Sequence, residues 1–369
     1  MSGDTILITG ADGYIGRRLA LRLMETSNRP LMLWIRAAGD AEFQVKKARL
    51  SGQLIASDGR LSFACGDLGQ DNPLAGVDPS SVHTIVHTAA VTRFNVDEKT
   101  AQTINVAGTQ KVLRFAASCP HLECFALVST IYSSGLKEGL IKEEPLDGRD
   151  GFANYYEQSK WQAETALLTD YGQLPWKILR VATIIADDED GQVGQQNAFH
   201  NTLKLFYYGL LSVVPGQAGT PLYFVTGDFV TDAICAAVSS PINRVVYHVT
   251  YGREETPTLG ALIDIAFATF GQDDRFRKRR VLRPLYCDLG SFGLLADGMA
   301  AFGKGIMNQA VASVSPFAPQ LFITKDVDNS NLRSAMVDYV VPPLGELLRS
   351  TCAYLIRTRW GKESEIAAG

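Results

Sequence analysis

Short apolar runs rich in β-branched residues recur along the first half of the chain, each followed by a stretch whose apolar residues return every three or four positions. That alternation predicts strands at Thr5–Thr9, Leu31–Ile35, Leu61–Cys65, Thr84–His87, Cys124–Ser129 and Trp176–Arg180. Helices are predicted near Tyr14–Thr26, Ala41–Ile55, Lys99–Ser118 and Tyr155–Tyr171. Strands alternating with helices give an α/β fold, a doubly wound parallel sheet with its ligand crevice at the carboxyl ends of the strands. Past about Ala186 the pattern changes. An aromatic and aliphatic stretch, Phe199 to Val214, leads into Pro215-Gly216, and Val245–Thr250 looks like one more strand returning to the sheet. The expected division is a dinucleotide-binding domain over residues 1–186 with a returning strand near 221–250, and a smaller, mostly helical substrate-binding portion from residues 187–220 and 251–369.

Composition narrows the class. The 369 residues are 46% hydrophobic and 20% charged, ample core material for a globular chain. A net charge of −4 gives no reason to expect nucleic acid. No run approaches the ~18 apolar residues of a membrane span, and no signal peptide is read at the N-terminus, so a cytoplasmic setting is expected. Cys65, Cys119, Cys124, Cys235, Cys287 and Cys352 form no Cys-x-x-Cys pair and read as small buried hydrophobes in a reducing compartment. His83 and His87 lie on a strand pattern at long separation, and no metal site is expected.

The chemistry begins where the first strand ends. Gly10, Gly13 and Gly16, spaced three apart between strand and helix, form a turn whose backbone N–H groups and helix dipole can cradle a pyrophosphate. Asp12, Tyr14 and Ile15 lie in the same turn. The second strand ends in Arg36, where NAD-preferring sites place an acid, and Arg17 follows the third glycine. Two guanidinium groups suit a 2′-phosphate, so NADPH is expected over NADH. Farther on, Tyr156 and Lys160 share a helix face at i and i+4, and a lysine cation near a phenol should lower its pKa and make it a usable acid/base. Thr130, at the end of the fifth strand, presents a hydroxyl to the same crevice.

With these residues in order, the chain resembles the short-chain dehydrogenase/reductase superfamily in its extended form, with a Rossmann-type sheet. The resemblance rests on Thr9-Gly10-x-x-Gly13-x-x-Gly16, Gly66-Asp67-Leu68, His87-Thr88-Ala89-Ala90, Asn105-Val106-x-Gly108-Thr109, Ser129-Thr130 and Tyr156-x-x-x-Lys160. It implies a triad of Thr130, Tyr156 and Lys160 supported by Asn105. It also implies cofactor contacts from Asp67 and Leu68 beside the adenine, from Thr88, Ala89 and Ala90 along its backbone, and from Val181 and Thr183 beyond the sixth strand. A narrower resemblance is to the fatty acyl-CoA reductase and thioester reductase (male-sterility-like) branch. Its residues are His87 to Phe94, Val128-Ser129-Thr130-Ile131-Tyr132, Ser159-Lys160-Trp161-Gln162-Ala163-Glu164 and Asp326 to Asn331. Arg180-Val181-Ala182 departs from the branch's usual Arg-Pro-Ser.

The expected activity is NADPH-dependent reduction of a carbonyl in a hydrophobic substrate, an acyl thioester giving aldehyde or alcohol, with Tyr156 donating the proton. The alternative is a ketone reductase or alcohol dehydrogenase on a lipid-like or polyketide metabolite. A nucleotide-sugar epimerase or dehydratase, or a non-catalytic nucleotide-binding regulator, ranks third. For the basic run Arg275–Arg280, a solvated face weighs evenly against an anionic partner. With the Leu344–Trp360 helix, that partner would be an acyl carrier protein or a membrane surface; a homodimer is left open. The glycine-rich stretch Leu285–Val314 is read as packed helix.

Overall fold

A strand with no polar face to offer solvent needs cover on both sides, and β1 (Thr5–Thr9) is buried at all five positions. The computed structural model describes residues 4–54, 59–301, 311–312 and 314–361. After β1 come α1 (Tyr14–Thr26), β2 (Leu31–Arg36), α2 (Asp40–Leu54), β3 (Leu61–Gly66) and β4 (Val82–His87). The next helix has three parts: α3 (Glu98–Thr100), a π-helical stretch Ala101–Ala107 and α4 (Gly108–Ser118). Then follow β5 (Cys124–Thr130), β6 (Gly139–Ile141), α5 (Tyr155–Asp170), β7 (Trp176–Val181), β8 (Thr183–Ala186), α6 (Ala198–Tyr208) and β9 (Val213–Pro215). β10 (Phe224–Thr226), α7 (Gly227–Ser239) and β11 (Val245–Val249) complete the sheet layer.

Among the described residues, seven strands pair in the order β11-β7-β5-β4-β1-β2-β3, all parallel. The strands predicted from the sequence are these, with ends shifted by a residue or two. Strand order reverses between β1 and β4, which opens a crevice at their carboxyl ends. α7, capped by the Thr226 hydroxyl on Phe229 N, covers one face and packs on α1. Arg22 of α1 reaches Asp232 of α7 at 2.6 Å.

The C-terminal third returns to this layer rather than standing apart. α8 (Leu259–Phe270), α9 (Asp274–Arg279), β12 (Leu285–Cys287) and α10 (Leu289–Ala301) precede β13 (Lys325–Val327), α11 (Ser330–Ala335) and α12 (Leu344–Arg357). β12 pairs in parallel with β9, and β13 with β6. The Asp326–Asn331 segment is a structural clasp. Asn329 Nδ2 donates to Thr250 O at 2.8 Å, and Asn331 Nδ2 to Val246 O at 3.0 Å. Glu143 binds the backbone N–H groups of His248 and Asn331 from between them.

One expectation changes and two gain detail. Cys65 is exposed, not buried, because β3 is the sheet edge and alternates its faces; Cys119, Cys124 and Cys352 are buried. The basic run is partly self-neutralised: Arg275 pairs with Asp273 at 2.7 Å, Arg277 with Asp274, and neighbouring Arg283 with Asp264. The glycine-rich stretch is helical over Leu289–Ala301, burying Phe292 while Leu294 is exposed. Residues 302–310, with Lys304, and Ser313 of that stretch lie outside the described residues, as do Ile55 and 362–369. Among the described residues, no helix is long and apolar enough to cross a membrane.

Candidate functional site

Backbone alone closes the turn after β1. A Cβ on Gly10, whose φ is +70°, would lie 2.7 Å from Ala89 Cα, and one on Gly16 would lie 2.3 Å from Gly10 O. Gly13 caps α1 without a side-chain hydrogen bond, and the first turn carries no acid, so its N–H groups and dipole are free for an anion. A cradle that a Cβ would fill, beside a helix N-terminus, fits the pyrophosphate of a dinucleotide. Ile15 lies in that first turn, partly buried against the core. Tyr14 points elsewhere: its phenol donates to Asp187 Oδ1 at 2.5 Å, so only its backbone faces the cradle. That phenol is held well above its ordinary pKa by burial and by Asp187.

The wall opposite the cradle is built by β4. Buried His87 joins the Thr9 hydroxyl at 2.7 Å to that of Thr109 at 3.0 Å, and burial, with the Lys160 charge, lowers its pKa to about 3. Thr88 Oγ1 donates to Thr9 O at 2.6 Å. These bonds lay Thr88, Ala89 and Ala90 beside the glycine turn. At the far end of the cradle, Asp67 accepts from Gly69 N at 2.7 Å and approaches Arg36 at 3.6 Å, and buried Leu68 packs on Gly108. Arg36 is exposed, and Arg17 contacts Gln53. Lys46 was not anticipated. Its Nζ meets Asp12 at 3.2 Å, Glu42 at 2.9 Å and Arg36 O at 2.6 Å, adding a third cation to this end. A lysine ten residues past a strand carries no motif; only α2 folding back over β2 brings it there.

The reacting end lies at the carboxyl ends of β5 and β7. Thr130 Oγ1 donates to Val181 O at 3.2 Å and accepts from Tyr132 N at 3.3 Å. Thr183 is engaged by the Tyr132 hydroxyl at 2.9 Å. Asn105, in the π-helical stretch, is a full clamp: it accepts from Val91 N at 2.8 Å and donates to Val91 O and Ser159 Oγ, each at 2.9 Å. Tyr156 and Lys160 do share the buried inner face of α5, but the expected lysine effect on the phenol is corrected. Lys160 Nζ donates to Val128 O at 2.7 Å, and burial lowers its pKa to about 8. Tyr156 is pushed up to about 12, because burial outweighs the hydrogen bond with Thr130.

Aromatic rings complete this end, Phe94 and Tyr132 from within the motifs and Phe317 from outside them. Phe94 stands edge-on to Tyr156 at 5.6 Å and to Tyr132 at 5.9 Å. Phe317, from the C-terminal third, meets Phe94 at 5.0 Å and Tyr132 at 5.2 Å. Arg180, in the segment that departs from the branch, is wholly buried, paired with Glu164 at 2.7 Å and touching His248 at 3.1 Å. A cavity of about 780 Å³ lies at the amino ends of the central strands, among Arg22, Cys124, Lys177 and Asp232, and holds none of these groups.

Comparison with known proteins gives the family and the fold. The family model described as Male sterility protein matches residues 8–234, more than half of the chain. A carboxylic acid reductase of Mycobacterium tuberculosis is 28% identical over 310 residues, covering 70% of this chain and 25% of that protein. An alcohol-forming fatty acyl-CoA reductase of Simmondsia chinensis is 23% identical over 350 residues, covering 73% and 71%. The chain thus spans a quarter of the carboxylic acid reductase. Among solved structures, the terminal R domain from the myxalamid PKS-NRPS biosynthetic pathway shares the fold with a TM-score of 0.76 at 21% identity, covering 98% of this chain and 92% of that one.

Proposed function

The chain belongs to the male sterility protein family, within the extended short-chain dehydrogenases/reductases, and from that premise we propose that it reduces acyl thioesters with NADPH. The observation that carries this is the meeting of two hydroxyls, Thr130 and Tyr156, at the strand ends beside the glycine cradle and inside an aromatic wall. NADPH would supply the hydride; Gly10 to Gly16 would hold its pyrophosphate, and Arg17, Arg36 and Lys46 a 2′-phosphate.

Tyr156 acts as the acid. A phenol near 12 stays protonated through neutral pH, so Tyr156 can give its proton to the oxyanion left when hydride adds to the thioester carbonyl. The hemithioacetal so formed returns its hydroxyl proton as the C–S bond breaks, giving the aldehyde and the free thiol. Thr130, turning its hydroxyl proton away from the Val181 carbonyl, stabilises the same oxygen by a second hydrogen bond. Lys160, anchored on Val128 O, supplies positive charge while it keeps its proton, below about pH 8. Phe94, Tyr132 and Phe317 exclude water and suit an apolar acyl chain. The likeness to a protein named as a fatty acyl-CoA reductase supports acyl-CoA as the substrate class, and a carrier-linked acyl thioester offers the same reacting group.

The test is NADPH oxidation against a panel of acyl-CoA thioesters, aldehydes and lipophilic ketones. Turnover of thioesters is expected, lost in Tyr156→Phe. Ketone turnover without thioester turnover, or an unchanged Tyr156→Phe rate, would sink the proposal.

A further inference from the structure

The segment from Ser315 to Val327 meets the catalytic frame through Pro316, Gln320 and Lys325. Pro316 O accepts from Asn154 Nδ2 at 3.0 Å, and the other end of that amide caps α5 by accepting from Glu157 N at 3.0 Å. Gln320 Nε2 donates to Glu157 Oε2 at 2.9 Å and to Gly135 O at 3.0 Å. Lys325 Nζ reaches the same Gly135 carbonyl at 2.6 Å and Ser134 Oγ at 2.9 Å, lying 5.9 Å over the Tyr132 ring. Glu157, Gln320 and Lys325 are all buried. Gly135 ends the turn that begins one residue after Thr130, and Glu157 is next to Tyr156. Two buried charges are expensive unless each is paired and hydrogen-bonded, and neither sits in the proposed chemistry.

We propose that Glu157, Gln320 and Lys325 are positioning residues that lock the turn after Thr130 to the N-terminus of α5, so that the Thr130 and Tyr156 hydroxyls meet on one substrate oxygen. The inference rests on the reading of those two hydroxyls given above. The same segment carries Phe317 into the aromatic wall, so the lock also sets where the apolar part of the substrate lies. Lys325 of β13, Tyr132 of the turn and Tyr156 of α5 are the charged and titratable groups facing Glu157. Burial pushes Glu157 up to about 7 while both phenols stay far above the carboxylate range, so an acid limb near neutrality reports Glu157.

The experiment is steady-state reduction of an acyl-CoA by NADPH, across pH, in Glu157→Gln, Lys325→Met, Gln320→Leu and the double Glu157→Gln/Lys325→Met, with Tyr156→Phe as reference. The single charge variants should lower kcat about tenfold to hundredfold, as misplacement by about 1 Å does, with the NADPH KM unchanged. The double variant should recover part of that loss, since no lone buried charge remains. Wild-type kcat should fall below about pH 7, and Glu157→Gln should abolish that limb; a merely structural role would lower the melting temperature and leave the profile alone. If Lys325→Met does not fold, Gln320→Leu and Lys325→Arg decide: kcat lost in the first and retained in the second supports the lock. Wild-type kcat and acid limb in Glu157→Gln and Gln320→Leu, with Tyr156→Phe inactive, overturns this inference alone. Activity surviving in Tyr156→Phe overturns the underlying reading instead.

Discussion

At the scale of single residues, the three glycines are not equivalent. Gly16 is fenced by Gly10 O and Ala11 Cα at 2.3 and 2.8 Å, whereas a Cβ on Gly13 would meet only Gly10 O, at 3.1 Å. Gly16→Ala should therefore cost about 1–3 kcal/mol of overpacking and abolish measurable NADPH binding. Gly13→Ala should cost under about 1 kcal/mol. Urea unfolding and cofactor fluorescence titration check both; equal costs would mean that the cradle tightens elsewhere. The cations make a second contrast. Removing a charge-assisted bond to phosphate should raise the NADPH KM about tenfold in Arg36→Ala and in Lys46→Ala, leaving the NADH KM alone. A parallel rise for both cofactors would refute a 2′-phosphate role. Gly10, Thr130 and Tyr156 were legible because a tight turn and a helical i, i+4 spacing are local facts. Lys46, Phe317 and Lys325 were not, because each reaches the site from a distant element through geometry that no local pattern encodes. The Tyr156 expectation failed for a related reason: the spacing with Lys160 was visible, but the burial and the Val128 carbonyl that govern both groups were not.

At the scale of elements, the parallel sheet was legible because each strand–helix unit is written in contiguous residues, apolar runs for strands and a three-to-four period for helices. The π-helical stretch was not; the chain through Ala101–Ala107 reads as plain helix, yet the wider turn is where Asn105 clamps Val91. Asn105→Ala would strand a buried N–H and C=O of Val91, costing about 1–3 kcal/mol, and kcat should fall with it. A variant as stable as the parent by urea unfolding would show that water replaces the clamp. The C-terminal third was opaque for the same reason that it matters. β6 and β13 are three-residue strands joined across about half of the chain, too short for any periodicity. Asn329→Ala, which loses one buried bond to Thr250 O, should cost about 1 kcal/mol and raise the acyl-substrate KM by loosening the clasp, with the NADPH KM unaffected.

For the whole molecule, buried titratable groups make stability a shaped function of pH. His87 and His248 are lowered to about 3 from an ordinary 6.5, by burial first and then by the charges of Lys160 and Arg180. Glu143 and Glu157 are raised to about 7 from 4.5, again by burial first. Burial lowers His200 as well, and unfolding returns all five to ordinary values. Between pH 6.5 and 3 the unfolded chain binds protons that the buried histidines refuse, so acidification there favours unfolding. Between pH 7 and 4.5 the native chain holds protons that the unfolded carboxylates lack, so acidification there favours the native state. Three histidines oppose two carboxyls from 6.5 to 4.5, so the urea midpoint should fall only gently across that window. Below 4.5 the histidines act alone, soon joined by Asp273, whose carboxylate Arg275 holds low and whose contribution is lost on protonation. The midpoint should then drop steeply. His248→Asn leaves two groups of each kind, so its midpoint, though lower throughout, should stay nearly level as the pH falls from 6.5 to 4.5. A wild-type midpoint that falls steeply from 6.5 would mean that Glu143 and Glu157 are ionised in the native state there, and an acid limb of kcat near pH 7 would then have to come from another group than Glu157.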